Sequence, residues 1–202
     1  MQFIPAYFPP IAYIVQLINN DVIFSLGGNY QKQTYRNRST IYGANGKLNL
    51  TVPIIHDGER GDLNIKISAA NDWKNQHWKS FSSAYRSSPF FEFYEDELKE
   101  EFFTDEVYLA KFNIKLIALV MQWLDFPFDF SVEEKYVPLT EEEGFYINAK
   151  VEPKISLPPY NQVFETKHGF LPHLSVLDLI FNLGPQSRDY LLSIAELLPS
   201  KA

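Results

Sequence analysis

The chain has 202 residues, carries a formal net charge of −7 and contains no cysteine. The lack of cysteine excludes a disulfide framework, a cysteine-ligated zinc site and a cysteine nucleophile. The acidic balance argues against a nucleic-acid-binding protein, because such a protein needs a broad basic surface. A chain of this length can bury a sizeable core, so we expect residues 1–202 to form a single domain.

The N-terminal segment and the longest apolar run both favour a cytoplasmic protein. Residues 1–21 include three prolines and lack the basic start of a secretory signal. The longest apolar helical run, residues 114–124, is too short to cross a bilayer and is interrupted by Lys115 and Gln122. We therefore expect no membrane span.

The first 26 residues predict a strand, a helix and a second strand. Residues 2–4 and 22–26 indicate short buried strands. Between them, apolar residues recur on one face of residues 11–19, as in an amphipathic helix. This order is that of a βαβ unit with two parallel strands. We predict an α/β fold, with a parallel or mixed sheet flanked by helices and a helical C-terminal part.

The remaining pattern predicts a hairpin, more strands and several helices. Residues 39–53 indicate two strands joined by a Gly/Asn turn. Extended segments are predicted at residues 63–67, 126–130 and 145–151, an acidic loop at 133–144, and a connection at 154–159. Helices are predicted at residues 71–103 with a break at Pro89, and at 108–124, 174–183 and 188–198.

A basic, aromatic stretch, residues 29–53, stands out in this acidic chain. Lys32, Arg36 and Arg38 lie within seven residues, and no Asp or Glu occurs between Val22 and His56. An arginine fork pairs with two oxygens of a phosphate or carboxylate, and a lysine adds a point charge. We predict that the three cations converge on a pocket for an anionic small molecule at the edge of the sheet. The alternative is that they pair with the acidic stretch 92–106.

Two residues are candidates for proton transfer. His77 can share a helix face with Tyr85, and its imidazole suits a general base at neutral pH. The alternative is a structural histidine packed beside Trp73. Glu92 lies among aromatic residues, where a carboxyl gains proton affinity; the alternative is the solvated face of a helix. The four histidines lack the spacing of metal ligands, and no phosphate-loop or dinucleotide motif occurs, so no metal is predicted and no cofactor is identified.

Several segments resemble the WbqC-like protein family. They are PAYFPPIAYIVQLINND, NYQKQTYRNR, IYGANGKLNLTVPI, HWKSFSSAYRSSPFFEFYEDEL and HGFLPHLSVLDLIFNLGPQS, which together span nearly the whole chain. NYQKQTYRNR is the most specific of them. Many members carry a His-Gln-Pro-like motif after the first strand, where this chain has Ile4-Pro5-Ala6-Tyr7. No role of that histidine is therefore carried over.

The resemblance implies a cytoplasmic bacterial protein of surface-polysaccharide (O-antigen) biosynthesis that acts near sugar nucleotides. The leading hypothesis is a transferase acting on a nucleotide-linked sugar or a related anionic metabolite. One alternative is a non-catalytic module that binds a sugar nucleotide or a partner enzyme. Another is that the basic loop pairs with the acidic helix, within one chain or across a homodimer. The implied site residues are Tyr30, Lys32, Arg36, Asn37, Arg38, His77, Trp78, Tyr85 and Arg86.

Overall fold

The N-terminal residues form the predicted strand–helix–strand unit. In the computed structural model, which describes residues 1–153 and 155–196, strands β1 (Gln2–Phe3) and β2 (Val22–Ser25) pair in parallel. Helix α1 (Ile11–Ile18) connects them. Seven of its eight residues are buried, so α1 is enclosed on nearly every side rather than on one face. The high content of apolar residues in this helix is what permits such burial.

The hairpin that we predicted at residues 39–53 is confirmed. Strand β3 (Arg38–Gly43) pairs antiparallel with strand β4 (Gly46–Thr51), leaving a two-residue loop. Gly46 has φ of 100°, a conformation that glycine adopts without strain. The Ser39 hydroxyl donates to the Phe8 carbonyl over 2.8 Å, which ties the hairpin to the loop that follows β1.

Three helices follow the hairpin: α2 (Trp73–Tyr85), α3 (Phe91–Phe102) and α4 (Leu109–Trp123). The predicted break at Pro89 is confirmed, because α2 ends before it and α3 begins after it. Phe102 joins the three helices, since its ring lies edge-on to Trp73 at 5.6 Å and to Phe81 at 5.7 Å and contacts Phe112. Such edge-to-face pairs stabilise a core beyond the area they bury.

A third strand completes the parallel sheet. Strand β5 (Phe130–Glu133) pairs in parallel with β2, so the order is β1-β2-β5 and β2 is central. Of the predicted extended segment 126–130, only Phe130 belongs to the strand. The carboxyl ends of all three strands meet at one edge of the sheet, which is where α/β proteins generally bind ligands. The predicted α/β fold with a parallel or mixed sheet is thereby confirmed.

Three sequence predictions in the middle of the chain are wrong. Residues 63–67 do not form a strand; Asp62–Asn64 is a 3-10 turn, and only isolated bridges follow it. The predicted acidic loop and extended segment 145–151 contain helix α5 (Glu141–Ile147) instead. A capping box starts α5: Thr140 Oγ1 accepts from the Glu143 amide, and the Glu143 carboxylate accepts from the Thr140 amide. This reciprocal pair satisfies amides that would otherwise lack partners.

The C-terminal part is helical, as predicted. It consists of α6 (Glu165–His168), α7 (Val176–Leu183) and α8 (Gln186–Ala195). Ser175 caps α7 through its hydroxyl, and Gly184 follows the helix with φ of 54°. The last helix begins two residues before the predicted start, and residues 197–198 of that prediction lie outside the described residues, as does residue 154 of the predicted connection. Among the described residues, no helix is both long and apolar enough to span a membrane.

Candidate functional site

Arg36, the central cation of the basic stretch, is buried and already paired. Its Nε and Nη2 atoms each donate to one carboxylate oxygen of Asp62 over 2.8 Å. The side chains are 5% and 4% exposed. Burial raises the pKa of Asp62, and the hydrogen bonds and charge of Arg36 oppose that rise. The fork that we predicted to hold a ligand anion therefore holds a carboxylate of the protein itself.

Main-chain hydrogen bonds place the Asp62 turn beside the segment that follows β2. The Tyr30 amide donates to the Arg60 carbonyl over 2.6 Å, and the Asp62 amide donates to the Gly28 carbonyl over 2.9 Å. Asn29 and Gly61 form a bridge between them. Residues 28–30 and 60–62 thus run side by side beyond the carboxyl end of β2, at the ligand-binding edge of the sheet.

A cavity of about 540 Å³ lies at this junction, and we call it the cation cavity. Its size is within the range of small-molecule sites. Lys32 and Arg60 contribute two positive charges and Glu59 one negative charge, so its lining is net positive although the chain is acidic. The lining residues are Asn29, Tyr30, Lys32, Ile54, His56, Gly58, Glu59, Arg60 and Ile65.

Tyr30 lines the cation cavity, and the charges of Arg36 and Arg38 influence its phenol. Its side chain is half-buried, and burial raises the pKa of its phenol. The charges of Arg36 and Arg38 oppose this rise in pKa, which places both guanidinium groups within electrostatic reach of the phenol. Arg38 is partly buried, and its Nε atom has no hydrogen-bond partner in the described part of the chain. Of the three predicted cations, Lys32 lines the cation cavity, and Arg36 and Arg38 are not among its lining residues.

His77 lies in the aromatic core. Its ring is in edge contact with Trp73 at 5.1 Å between centroids, and its Nδ1 atom is 2.8 Å from the buried Tyr7 hydroxyl. Burial lowers the pKa of His77 to about 4, although a hydrogen bond with the Thr51 main chain opposes this shift. An imidazole with this pKa is a weak base, and His77 is not among the residues that line the cation cavity. The geometry fits the alternative of a histidine packed beside Trp73.

The other predicted residues on α2 and α3 also lie apart from the cation cavity. The Trp78 ring packs on Phe103 at 6.0 Å. Tyr85 is fully buried and accepts a hydrogen bond from the Tyr42 amide. Arg86 is exposed and pairs with Glu95 at 3.4 Å, and Glu92 is exposed in the first turn of α3. Arg86 and Lys115 pair with the acidic stretch, at Glu95 and Glu101. Among the described residues, no ion pair joins the basic loop to that stretch, as the alternative required.

Asn37, the remaining predicted binding residue, holds the hairpin in place. It is buried, and its amide group donates to the Val52 carbonyl over 2.8 Å. The Val52 amide donates in turn to the Asn37 carbonyl over 2.8 Å. The side chain therefore closes the open end of the β3–β4 hairpin, and Asn37 is not among the residues that line the cation cavity.

Sequence reasoning missed three residues of the site: His56, Arg60 and Asp62. All three lie in the segment HDGERGD, residues 56–62, for which we predicted no role in binding. The residue types in this segment could have indicated a binding loop. An Arg and a His stand beside two glycines, which let a loop turn sharply. Among the described residues, no three His, Asp or Glu side chains are grouped as metal ligands would be.

A second cleft, of about 300 Å³, lies between the start of α2 and the segment before α4. Its charged lining residues are three acids, Asp72, Asp105 and Glu106, and one lysine, Lys74. The Lys74 Nζ donates to the Thr104 carbonyl, and burial lowers the pKa of Lys74. Three carboxylates around one ammonium disfavour an anion, so this cleft does not suit the predicted ligand.

Comparison with known proteins agrees with the sequence resemblance. The model of the WbqC-like protein family matches residues 4–152. A relative in Mycobacterium tuberculosis, uncharacterized protein Rv1507c, is 23% identical over 215 aligned residues, which cover 92% of this chain and 91% of the relative. No solved structure matches the chain. The matched region includes all the residues that line the cation cavity.

Proposed function

The chain belongs to the WbqC-like protein family, and from this premise we propose that it binds a nucleotide-linked sugar or a related anionic metabolite in the cation cavity. We place this activity in the cytoplasm, in the biosynthesis of bacterial surface polysaccharide (O-antigen). The observation that carries the proposal is the net positive lining of a cavity of about 540 Å³ at the carboxyl edge of a parallel sheet. A ligand with a diphosphate matches that charge and that position.

Lys32 and Arg60 hold the diphosphate in this proposal. Both side chains are exposed at the cavity, so they reach a ligand without breaking a buried contact. Arg60 offers the planar fork that Arg36 has already committed to Asp62, and Lys32 adds a compact charge. The Tyr30 ring supplies a flat surface beside them. Neither Arg36 nor Arg38 is among the residues that line the cation cavity.

The catalytic form of the proposal is a glycosyl transfer in which His56 is the base. The His56 imidazole accepts the proton of an acceptor hydroxyl or amine as that group forms a bond to the anomeric carbon of the sugar. The bond between the anomeric carbon and the diphosphate oxygen breaks, and the diphosphate leaves with its electron pair. Lys32 and Arg60 stabilise the charge of this leaving group.

A non-catalytic binding module is the second candidate. The observation that favours it is the position of the two residues that we predicted to transfer protons. His77 is buried in the aromatic core and Glu92 is exposed on α3, and neither lines the cation cavity. In this form His56 only contributes hydrogen bonds to the ligand.

Titration calorimetry with UDP-glucose, GDP-mannose, dTDP-glucose and the matching nucleoside diphosphates tests the proposal. We expect at least one nucleotide to bind, and the double variant Lys32→Ala, Arg60→Ala to bind it about tenfold or more weakly, because each tenfold step needs only about 1.4 kcal/mol. Lys79→Ala, which removes an exposed lysine on α2, is the matched control and should bind as the unaltered chain does. The proposal would be contradicted if the unaltered chain bound none of these nucleotides. It would also be contradicted if the double variant bound as tightly as the Lys79→Ala control.

His56→Gln separates the enzyme from the binding module. With the nucleotide sugar that binds, the catalytic form predicts that this variant keeps its affinity and loses release of nucleoside diphosphate, measured by chromatography with acceptor sugars present. Lost affinity with no turnover in the unaltered chain would support the binding module.

A further inference from the structure

Another cleft, distinct from the one beside α2, adjoins the cation cavity on the other side of the segment that follows β2. It measures about 270 Å³, near the lower limit for small-molecule sites. Ser25 at the end of β2 and Gln31 form one side, and the segment from Tyr136 to Thr140 with α5 forms the other. Asn29 lines both this cleft and the cation cavity, so the two spaces are neighbours. We call it the neutral cleft.

Its lining differs from that of the cation cavity in charge. Arg36 is the one charged side chain among the residues that line the neutral cleft, and Asp62 neutralises it through two hydrogen bonds of 2.8 Å. The other polar side chains carry three hydroxyls and two amides, which both donate and accept hydrogen bonds. They belong to Ser25, Asn29, Gln31, Tyr136 and Thr140. A second anionic group would therefore find no free cation here.

Apolar side chains also line the neutral cleft. Ile4, Leu139 and Ile147 face the same space as the hydroxyls and amides. Tyr136 is 70% exposed at the edge of the cleft, and its ring lies about 4 Å from the Cβ position of Gly28. A sugar ring has this mixture of surfaces, because it carries hydroxyls at its rim and C–H groups on its faces.

We propose that the neutral cleft binds the glycosyl part of the ligand, while the cation cavity binds its anionic part. This inference rests on the proposed function, since the anionic part is the diphosphate assigned to Lys32 and Arg60. The division follows from charge: the lining of one space is net positive, and that of the other is uncharged apart from an internally paired arginine. The substrate class is then a neutral hexose or N-acetylhexosamine rather than a uronic or sialic acid.

Gly144 on α5 provides a variant at the lining of the neutral cleft. It lines the cleft, and a Cβ added there meets no atom within 4 Å. Gly144→Leu therefore places a side chain in open space, and replacing a glycine inside a helix does not weaken the helix. Gly144→Ala is the matched control, because it adds only one methyl group. Thermal unfolding of both variants checks that the fold is kept.

Two measurements test the division. Saturation-transfer NMR with glucose, galactose, mannose and N-acetylglucosamine should show a signal with the unaltered chain and with Gly144→Ala, and about a tenfold smaller one with Gly144→Leu. Calorimetry should show that Gly144→Leu binds the nucleotide sugar about tenfold more weakly and binds the nucleoside diphosphate as before.

The outcomes distinguish this inference from the proposed function. A sugar signal that Gly144→Leu removes, in a chain that binds no nucleotide, would support the neutral cleft and reject the proposed diphosphate site. Equal sugar signals in the unaltered chain and Gly144→Leu, or none with any sugar tested, would overturn the neutral cleft. An equal loss of affinity for nucleotide sugar and nucleoside diphosphate would overturn the division between the two spaces.

Discussion

At the scale of single residues, the Arg36–Asp62 ion pair holds the site together. It joins the start of the hairpin to the turn that carries His56 and Arg60, and both partners are almost fully buried. The Asn113 amide also donates to the Arg36 carbonyl, which anchors the same residue from α4. A buried pair of this kind adds little net stability, but removing one partner leaves the other charge uncompensated.

Asp62→Asn should therefore destabilise the protein by about 3–5 kcal/mol, because the Arg36 guanidinium stays charged and buried without its counter-ion. Urea unfolding followed by circular dichroism measures this loss. Glu59→Gln, an exposed carboxylate in the same turn, is the control and should change stability by less than about 0.5 kcal/mol. A similar loss in the two variants would show that the pair is not the cause. Replacing both partners, Arg36→Met with Asp62→Leu, should recover most of the stability.

At the scale of elements, the segment after β5 closes the sheet edge against the end of β2. The Leu26 amide donates to the Glu133 carbonyl over 2.8 Å, which extends the pairing of the two strands by one residue. Gly27 then lies directly under the main chain of Lys135 and Tyr136, where a Cβ would overlap backbone atoms. Only glycine permits this close approach, which brings the Tyr136–Thr140 wall of the neutral cleft into place.

Gly27→Ala should destabilise the protein by about 1–3 kcal/mol, because the backbone of the crossing segment must shift. Gly28→Ala is the matched control: the nearest atom to its added Cβ is 3.9 Å away, an ordinary contact. Thermal unfolding of the two variants compares them directly. Equal melting temperatures would contradict the close approach at Gly27.

At the scale of the whole molecule, two buried groups give stability opposite dependences on pH. Asp178 on α7 is fully buried and accepts hydrogen bonds from Tyr160 over 2.7 Å and Gln162 over 2.8 Å. Burial raises its pKa from 3.8 to about 6, so its contribution to stability is present at low pH and is lost as pH rises through about 6. Burial lowers the pKa of His77 from 6.5 to about 4, so its contribution is present at neutral pH and is lost as pH falls through about 4.

Asp178→Asn should reveal how much Asp178 contributes to the pH dependence of stability. The free energy of unfolding of the unaltered chain minus that of the variant should increase by about 2 kcal/mol as pH falls from 6.5 to 4, since one pKa unit corresponds to about 1.4 kcal/mol. Groups common to both proteins cancel in this difference. Urea unfolding at four pH values measures it, with the exposed Asp189→Asn on α8 as the control that should show no trend. A pH-independent difference for Asp178→Asn would contradict the shifted pKa.

Local patterns in the sequence were sufficient wherever structure depends on near neighbours. The period of apolar residues predicted α1 and α4, and the Gly/Asn turn predicted the β3–β4 hairpin. The α5 helix was missed although Thr140 and Glu143 stand at capping-box spacing, because the acidic composition around them was read as a loop. The strand predicted at residues 63–67 failed because alternation alone does not supply a neighbouring strand.

By itself, the sequence determined the family, the α/β class and the place of the basic stretch after β2, because each depends on residue types and spacings along the chain. Only the tertiary structure decided which cations face the cavity. Arg36 meets Asp62, 26 residues away, and His77 meets Tyr7, 70 residues away. Burial and ion pairing depend on groups that packing brings together, and a basic run looks the same in sequence whether its partner is a ligand or a distant carboxylate.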